Sequence, residues 1–194
     1  MEEERGGLPI LSFVDGVAFE TWLQAHCLRA SGLWLKLAKK GAPEPTLTKA
    51  EAIDAALCYG WIDGQLDKYD HHYSLVRFTP RKRRSRWSEI NRTRATELIA
   101  GGRMRPPGLA QIAAAKTDGC WDSAYAPASK AEAPPDLAAA LAANPEAAEF
   151  FATLTGANRY SILYRIGAVK RPETRAREIA QFVEVLERGQ TIHD

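Results

Sequence analysis

Residues 58–88 read CYGWIDGQLDKYDHHYSLVRFTPRKRRSRWS, and the reading of this stretch decides the fold. Two runs suited to strands, Trp61–Leu66 and Tyr73–Phe78, flank the polar segment Asp67–His72, which is the pattern of a β-hairpin. Gly60 releases the chain into the first run and Pro80 stops the second. Six cations follow within ten residues: Arg77, Arg81, Lys82, Arg83, Arg84 and Arg86. Ser85 stands where it caps a helix from Arg86 to about Ile99, with Trp87, Ile90, Ala95 and Leu98 facing inward.

Upstream, Thr48-Lys-Ala-Glu51 is a capping box, because the threonine oxygen accepts from the amide three residues on while Glu51 returns to the cap amide. It predicts a helix from Lys49 to Cys58 with Ala52, Ile53, Ala56 and Leu57 as its buried stripe. Leu33–Leu37 alternates as a strand does, with its three leucines on one face. Phe19, Trp22, Leu23, His26 and Cys27 recur at helical spacing after Asp15, a candidate N-cap, and this stripe makes His26 a core histidine. Residues Leu8–Val14 read as an extended segment or edge strand, and Met1–Gly7 as loose.

Downstream, Pro107–Lys116 reads as a short helix. Residues 117–135 shift to Gly, Ala, Pro and Ser, a linker partly pinned by Trp121 and Tyr125. Four helices complete the chain: Asp136–Ala143, Pro145–Thr153 capped by Asn144, Ala157–Val169, and Pro172–Arg188 stopped by Gly189. The fold expected is therefore α+β: a small antiparallel sheet with packed helices over residues 8–116, a linker over 117–135, and an all-helical C-terminal unit over 136–189.

Composition narrows the function classes. Of 194 residues, 45% are hydrophobic and 26% charged, the balance of a globular protein rather than a disordered one. A net charge of +2 is too small for a generic polyanion binder, so nucleic acid is not the expected partner. No run of about 18 apolar residues is present to insert in a membrane, and MEEERGGLPI lacks the basic end and apolar run of a signal peptide, so the cytoplasm is the expected compartment. Cys27, Cys58 and Cys120 lack metal-type spacing and read as reduced, buried thiols. Neither a metal nor a cofactor is indicated.

Paired strands bring Asp63 near Arg77, either as a cross-strand ion pair or as part of a site. Arg77, Arg81 and Lys82, approaching a helix start capped by Ser85, have the chemistry to cradle an anion, since guanidinium forks bind carboxylate or phosphate bidentately. A ligand-binding set of Trp61, Asp63, Arg77, Arg81, Lys82 and Ser85 follows, for a small anionic ligand. A solvated basic turn is the plainer alternative. Trp34, Trp61 and Trp87 either line a pocket beneath this rim or are ordinary core. Two other readings stay open: an enzyme using Asp63 or Cys58 in the same cleft, and a module that docks a protein partner through Ile179, Phe182, Val183 and Leu186.

The segments FETWLQAHC, GLWLKLAKKG, TKAEAIDAALCYGWIDG, RFTPRKRRSRWS, ELIAGGRMRPPG and KRPETRAREI together resemble the YdeI/OmpD-associated family, also described as bacteriocin-protection proteins. The resemblance covers nearly the whole chain and is most specific at GWIDG and FTPRK. It implies no established reaction. Its names imply protection against antimicrobial peptides or association with an outer-membrane porin, and hence a periplasmic setting, from which this chain departs at its N-terminus.

Overall fold

A computed structural model describes residues 3–192. Contacts divide the chain into two compact units, Met1–Ala124 and Tyr125–Asp194.

The first unit is built on a five-stranded sheet. Its strands are β1 (Glu4–Arg5), β2 (Leu8–Leu11), β3 (Leu33–Ala38), β4 (Trp61–Lys68) and β5 (Tyr73–Pro80), in the order β1-β2-β3-β5-β4. The β4–β5 hairpin forms where the sequence places it, although β4 runs two residues beyond Leu66 into the segment read as turn. An irregularity between Asp63 and Leu66 bends this edge strand, which blunts its open edge against foreign strands. The sheet is mixed rather than antiparallel. β2 and β3 pair in parallel because the intervening chain is the crossover helix α1 (Gly16–His26), capped by the Asp15 carboxylate. Residues 3–7 are not loose as expected: Gly6 and Gly7, at φ +57° and +73°, turn β1 back antiparallel onto β2.

Helix α2 (Lys49–Cys58) spans the length its capping box predicts, with both arms of the box made. It buries Ala52, Ala55, Ala56, Leu57 and Cys58, whereas Ile53 is only half-buried. Leu33, Leu35, Leu37, Val76, Phe78 and Trp61 face this helix together with Phe19 and Leu23 of α1, and they form the principal core.

The opposite sheet face carries a smaller cluster of Leu8, Trp34 and Leu75, with Ile10 and Tyr69 against it. The sheet coils over this cluster. Trp34 donates its indole N–H to the Arg5 carbonyl at 3.0 Å, and the Arg5 guanidinium reaches Asp67 of β4 at 2.6 Å. The first and last strands of the sheet order are thus joined by one side chain.

Helix α3 (Glu89–Ala100) starts later than expected. Ser88, not Ser85, caps it by accepting from the Asn91 amide, so Trp87 precedes the helix and Ile90 is exposed. Helix α4 (Pro106–Thr117) lies within a residue of expectation at each end. Cys120 is buried and Trp121 packs against the principal core, so the start of the 117–135 stretch is structured rather than free.

The second unit contains a short 3-10 turn at Ala128–Lys130 and four helices: α5 (Pro135–Ala142), α6 (Pro145–Thr153), α7 (Gly156–Ala168) and α8 (Pro172–Glu187). Leu137, Leu141, Phe151, Ile162, Ile166, Ile179, Phe182 and Leu186 make its core. Arg175 ties three helices together: its guanidinium bonds both Asp136 carboxylate oxygens, at 2.5 and 2.9 Å, and donates to the Ile166 carbonyl at 2.6 Å. No helix among the described residues is long and apolar enough to cross a membrane.

Candidate functional site

The basic loop between β5 and α3 is anchored from within. Arg81 is 5% exposed, the only charged side chain buried to this degree among the described residues. Its guanidinium lies 3.6 Å from the centre of the Trp87 ring and donates to the Arg86 carbonyl at 3.4 Å, while its amide donates to the Gly60 carbonyl. Trp87 meets Trp121 edge to face at 4.9 Å, and Lys116 sits over Trp121 at 5.6 Å. Two indoles in edge-to-face contact are thus flanked by a cation at each end, the cations held by the rings' negative faces and the indoles by the edge-to-face geometry.

Above it, Lys82 and Ser85 close a turn. The Lys82 amide donates to the Ser85 hydroxyl oxygen, and the Ser85 amide donates to the Lys82 carbonyl, both at 3.0 Å. Arg84 holds φ +62°, the left-handed region that a side chain adopts only when its surroundings hold it there. The Cys120 thiol, the Cys120 amide and the Arg84 backbone all donate to Asp118 and hold its carboxyl below the ordinary range. The consequence is that Lys82, Arg83 and Arg84 stand exposed on one tight turn. The crevice beneath, lined by Arg81, Ser85, Trp87, Gln111 and Asp118 among others, encloses about 10 Å³, room for about one water molecule. The crevice therefore has no room for a ligand larger than water.

Of the six residues expected to surround a ligand, the structure brings Arg81, Lys82 and Ser85 together and separates the rest. Trp61 is 1% exposed and donates its indole N–H to the Cys27 carbonyl, so it is core. Asp63 is opposite Phe78 on the principal-core face and lies 3.7 Å from Lys49. Arg77 pairs in register with Trp34 on the other face, so the Asp63–Arg77 pair is not made. The period-2 alternation of strands decides this, since residues opposite Phe78 and Arg77 point to opposite faces. Ser85 closes the turn instead of capping the helix. The three tryptophans do not share a pocket, because Trp34 lies on the sheet face away from Trp61 and Trp87.

The groups of the two alternative readings are also accounted for. Burial pushes the Cys58 thiol up to about 11, with Arg103 only partly opposing the rise, so a reactive thiolate is not available near neutral pH. Ile179, Phe182 and Leu186 are buried inside the second unit's own core and Val183 packs against it, so together they form no exposed apolar patch for a protein partner. His26 corrects its expectation: it is exposed, stacked on Trp22 at 4.7 Å, with Nδ1 at 2.8 Å from the Trp22 carbonyl.

Fold and loop define a class: an α+β unit carrying a braced basic loop, followed by a four-helix unit. Residues 11–111, just over half of the chain, match a family described as a domain of unknown function (DUF8412), and residues 130–189 match the family described as Bacteriocin-protection, YdeI or OmpD-Associated. The chain belongs to the first of these through its sheet-bearing unit and to the YdeI/OmpD-associated family through its C-terminal helices. Membership suggests at most a role related to bacteriocin protection. No curated protein and no solved structure matches the chain.

Proposed function

We propose that the chain is a cytoplasmic binding protein for a small anionic ligand, held on the outer face of the 81–88 loop by Lys82, Arg83 and Arg84. One observation carries this reading: Arg81 is buried against Trp87, so the loop's shape is fixed before any ligand arrives. A pre-shaped loop spares the ligand the cost of ordering the backbone that carries the three cations. Arg81 thus supports the site from below, and Ser85 holds the turn. The cytoplasmic setting is supported by three buried cysteines, none of them in a disulfide.

The test is a titration of the full chain with sulfate, phosphate and pyrophosphate, followed by tryptophan fluorescence, in which Trp87 is the reporter beneath the loop. Replacing Lys82, Arg83 and Arg84 together by alanine should weaken binding by about tenfold or more and leave the unfolding midpoint almost unchanged, because exposed cations add little to stability. Identical titrations for wild type and variant would remove the loop as the site.

A further inference from the structure

The second unit holds a groove unrelated to the basic loop. It encloses about 470 Å³, a volume typical of small-molecule sites, and its walls include Arg165, Glu178, Phe182, Val185, Gln190 and Ile192. Its outer wall is fixed by identifiable devices. Helix α8 ends in a Schellman motif, with Gly189 at φ +63°, the Gly189 amide bonded to the Leu186 carbonyl and the Gln190 amide to the Val185 carbonyl. The chain beyond is held on α7, where the Ile192 amide donates to the Asn158 side-chain oxygen at 3.2 Å.

Inside the groove, the guanidinium carbon of Arg165 lies 5.1 Å from the centre of the Phe182 ring, and its nearest nitrogen is 3.9 Å from a Glu178 oxygen. An aromatic face beside a carboxylate is the arrangement that receives organic cations. Arg165 fills it loosely: its side chain is 53% exposed, and 3.9 Å is beyond hydrogen-bonding distance. Val185 and Ile192, both half-buried, extend the apolar surface away from this point. Glu184, also on the walls, is paired with Arg188 one turn on, so Glu178 is the carboxylate that faces Arg165 and the Phe182 ring.

We infer that this groove is a binding site for an organic cation with an apolar tail, and that Arg165 is a resident stand-in for the ligand's ammonium group. The ligand's charged head displaces the Arg165 guanidinium from between Phe182 and Glu178, and its tail lies along Val185 and Ile192. The displaced arginine moves into water, where its charge is fully solvated. No bond is made or broken.

Arg165 competes with the ligand, so its removal should improve binding, an outcome that damage to the fold cannot imitate. The probes are octyltrimethylammonium and octyl sulfate, equal in tail and opposite in head, each titrated calorimetrically below micelle formation into the full chain. The ammonium should bind and the sulfate should bind more weakly or not at all. Arg165→Ala should tighten the ammonium by up to about tenfold, the worth of one weak ion pair and one exposed cation–π contact together. Glu178→Gln should weaken it by a similar factor. Binding of neither probe, preference for the sulfate, or an Arg165→Ala variant that binds the ammonium no better than wild type would each overturn the assignment.

Discussion

Cys58 shows how burial sets chemistry at a single residue. At 1% exposure the thiolate loses its hydration, so the folded chain keeps this proton to a pH of about 11, whereas an ordinary thiol gives it up near 9.0. Across that interval the unfolded chain binds fewer protons than the folded one, and stability therefore falls as pH rises from about 9 to about 11. Urea midpoints measured at roughly pH 8 and roughly pH 10.5 should diverge more for wild type than for Cys58→Ala, and equal divergence would exclude the thiol as the cause. Sequence placed Cys58 at the end of a capped helix and read it as a buried thiol, with a nucleophile in an enzyme's cleft as the alternative; its burial decides between them. Sequence misled at His26, where helical spacing measures angle around an axis and not the depth of the neighbour across it. It was silent on Arg81, since a buried arginine and a solvated one are spelled alike in RKRRSR. Trp87, an indole six residues on, was read as the first inward residue of the helix, whereas it precedes the helix and takes the Arg81 guanidinium on its face.

At the scale of elements, α4 and the end of α2 approach more closely than any side chain permits. A Cβ on Gly108 would stand 2.4 Å from the Cys58 carbonyl oxygen, 2.6 Å from the Met104 sulfur and 2.7 Å from the Leu57 carbonyl oxygen. The Arg105 amide donates to the same Cys58 carbonyl at 3.1 Å. Gly60 repeats the motif from the other side, at φ +75° with the Pro107 carbonyl 2.9 Å from where its Cβ would be. Gly108→Ala should destabilise the first unit by about 1–3 kcal/mol through overpacking, checked by urea unfolding, because two backbone carbonyls cannot give way as a flexible side chain would. Helix α2 and the β4–β5 hairpin were legible because capping boxes and period-2 runs are local. The Gly60–Gly108 contact joins positions far apart in the chain and leaves no local pattern. The start of α3 was missed for a related reason: Ser85 and Ser88 are both good caps, and the choice falls to Ser88 because Trp87 is held outside the helix against Arg81 and Trp121.

At the scale of the whole chain, the buried clusters fall on separate sequences: two are drawn from residues up to Cys120, the third from Leu137 onward. We propose that the sheet-bearing unit folds alone. All five tryptophans lie within residues 1–124, so the near-ultraviolet dichroism of a chain ending at Ala124 should reproduce the indole bands of the full chain and melt cooperatively. Collapse of those bands would mean that the C-terminal helices are required. The mixed sheet was the part of the architecture least legible, because β2 is four residues long and its parallel partner lies beyond a helix. The coiling that lets Arg5 grip Asp67 spans 62 residues, and it sets a timetable for the nascent chain. At about 5–20 residues per second, the ribosome delivers Asp67 some 3–12 s after Arg5. Through the early part of that interval LPIL has emerged without β3, the strand that pairs with it in parallel, an apolar tetrapeptide three residues behind the acidic run Glu2–Glu4. Those like charges repel other copies of the same unfinished chain and so shield the strand during the seconds before β3 arrives.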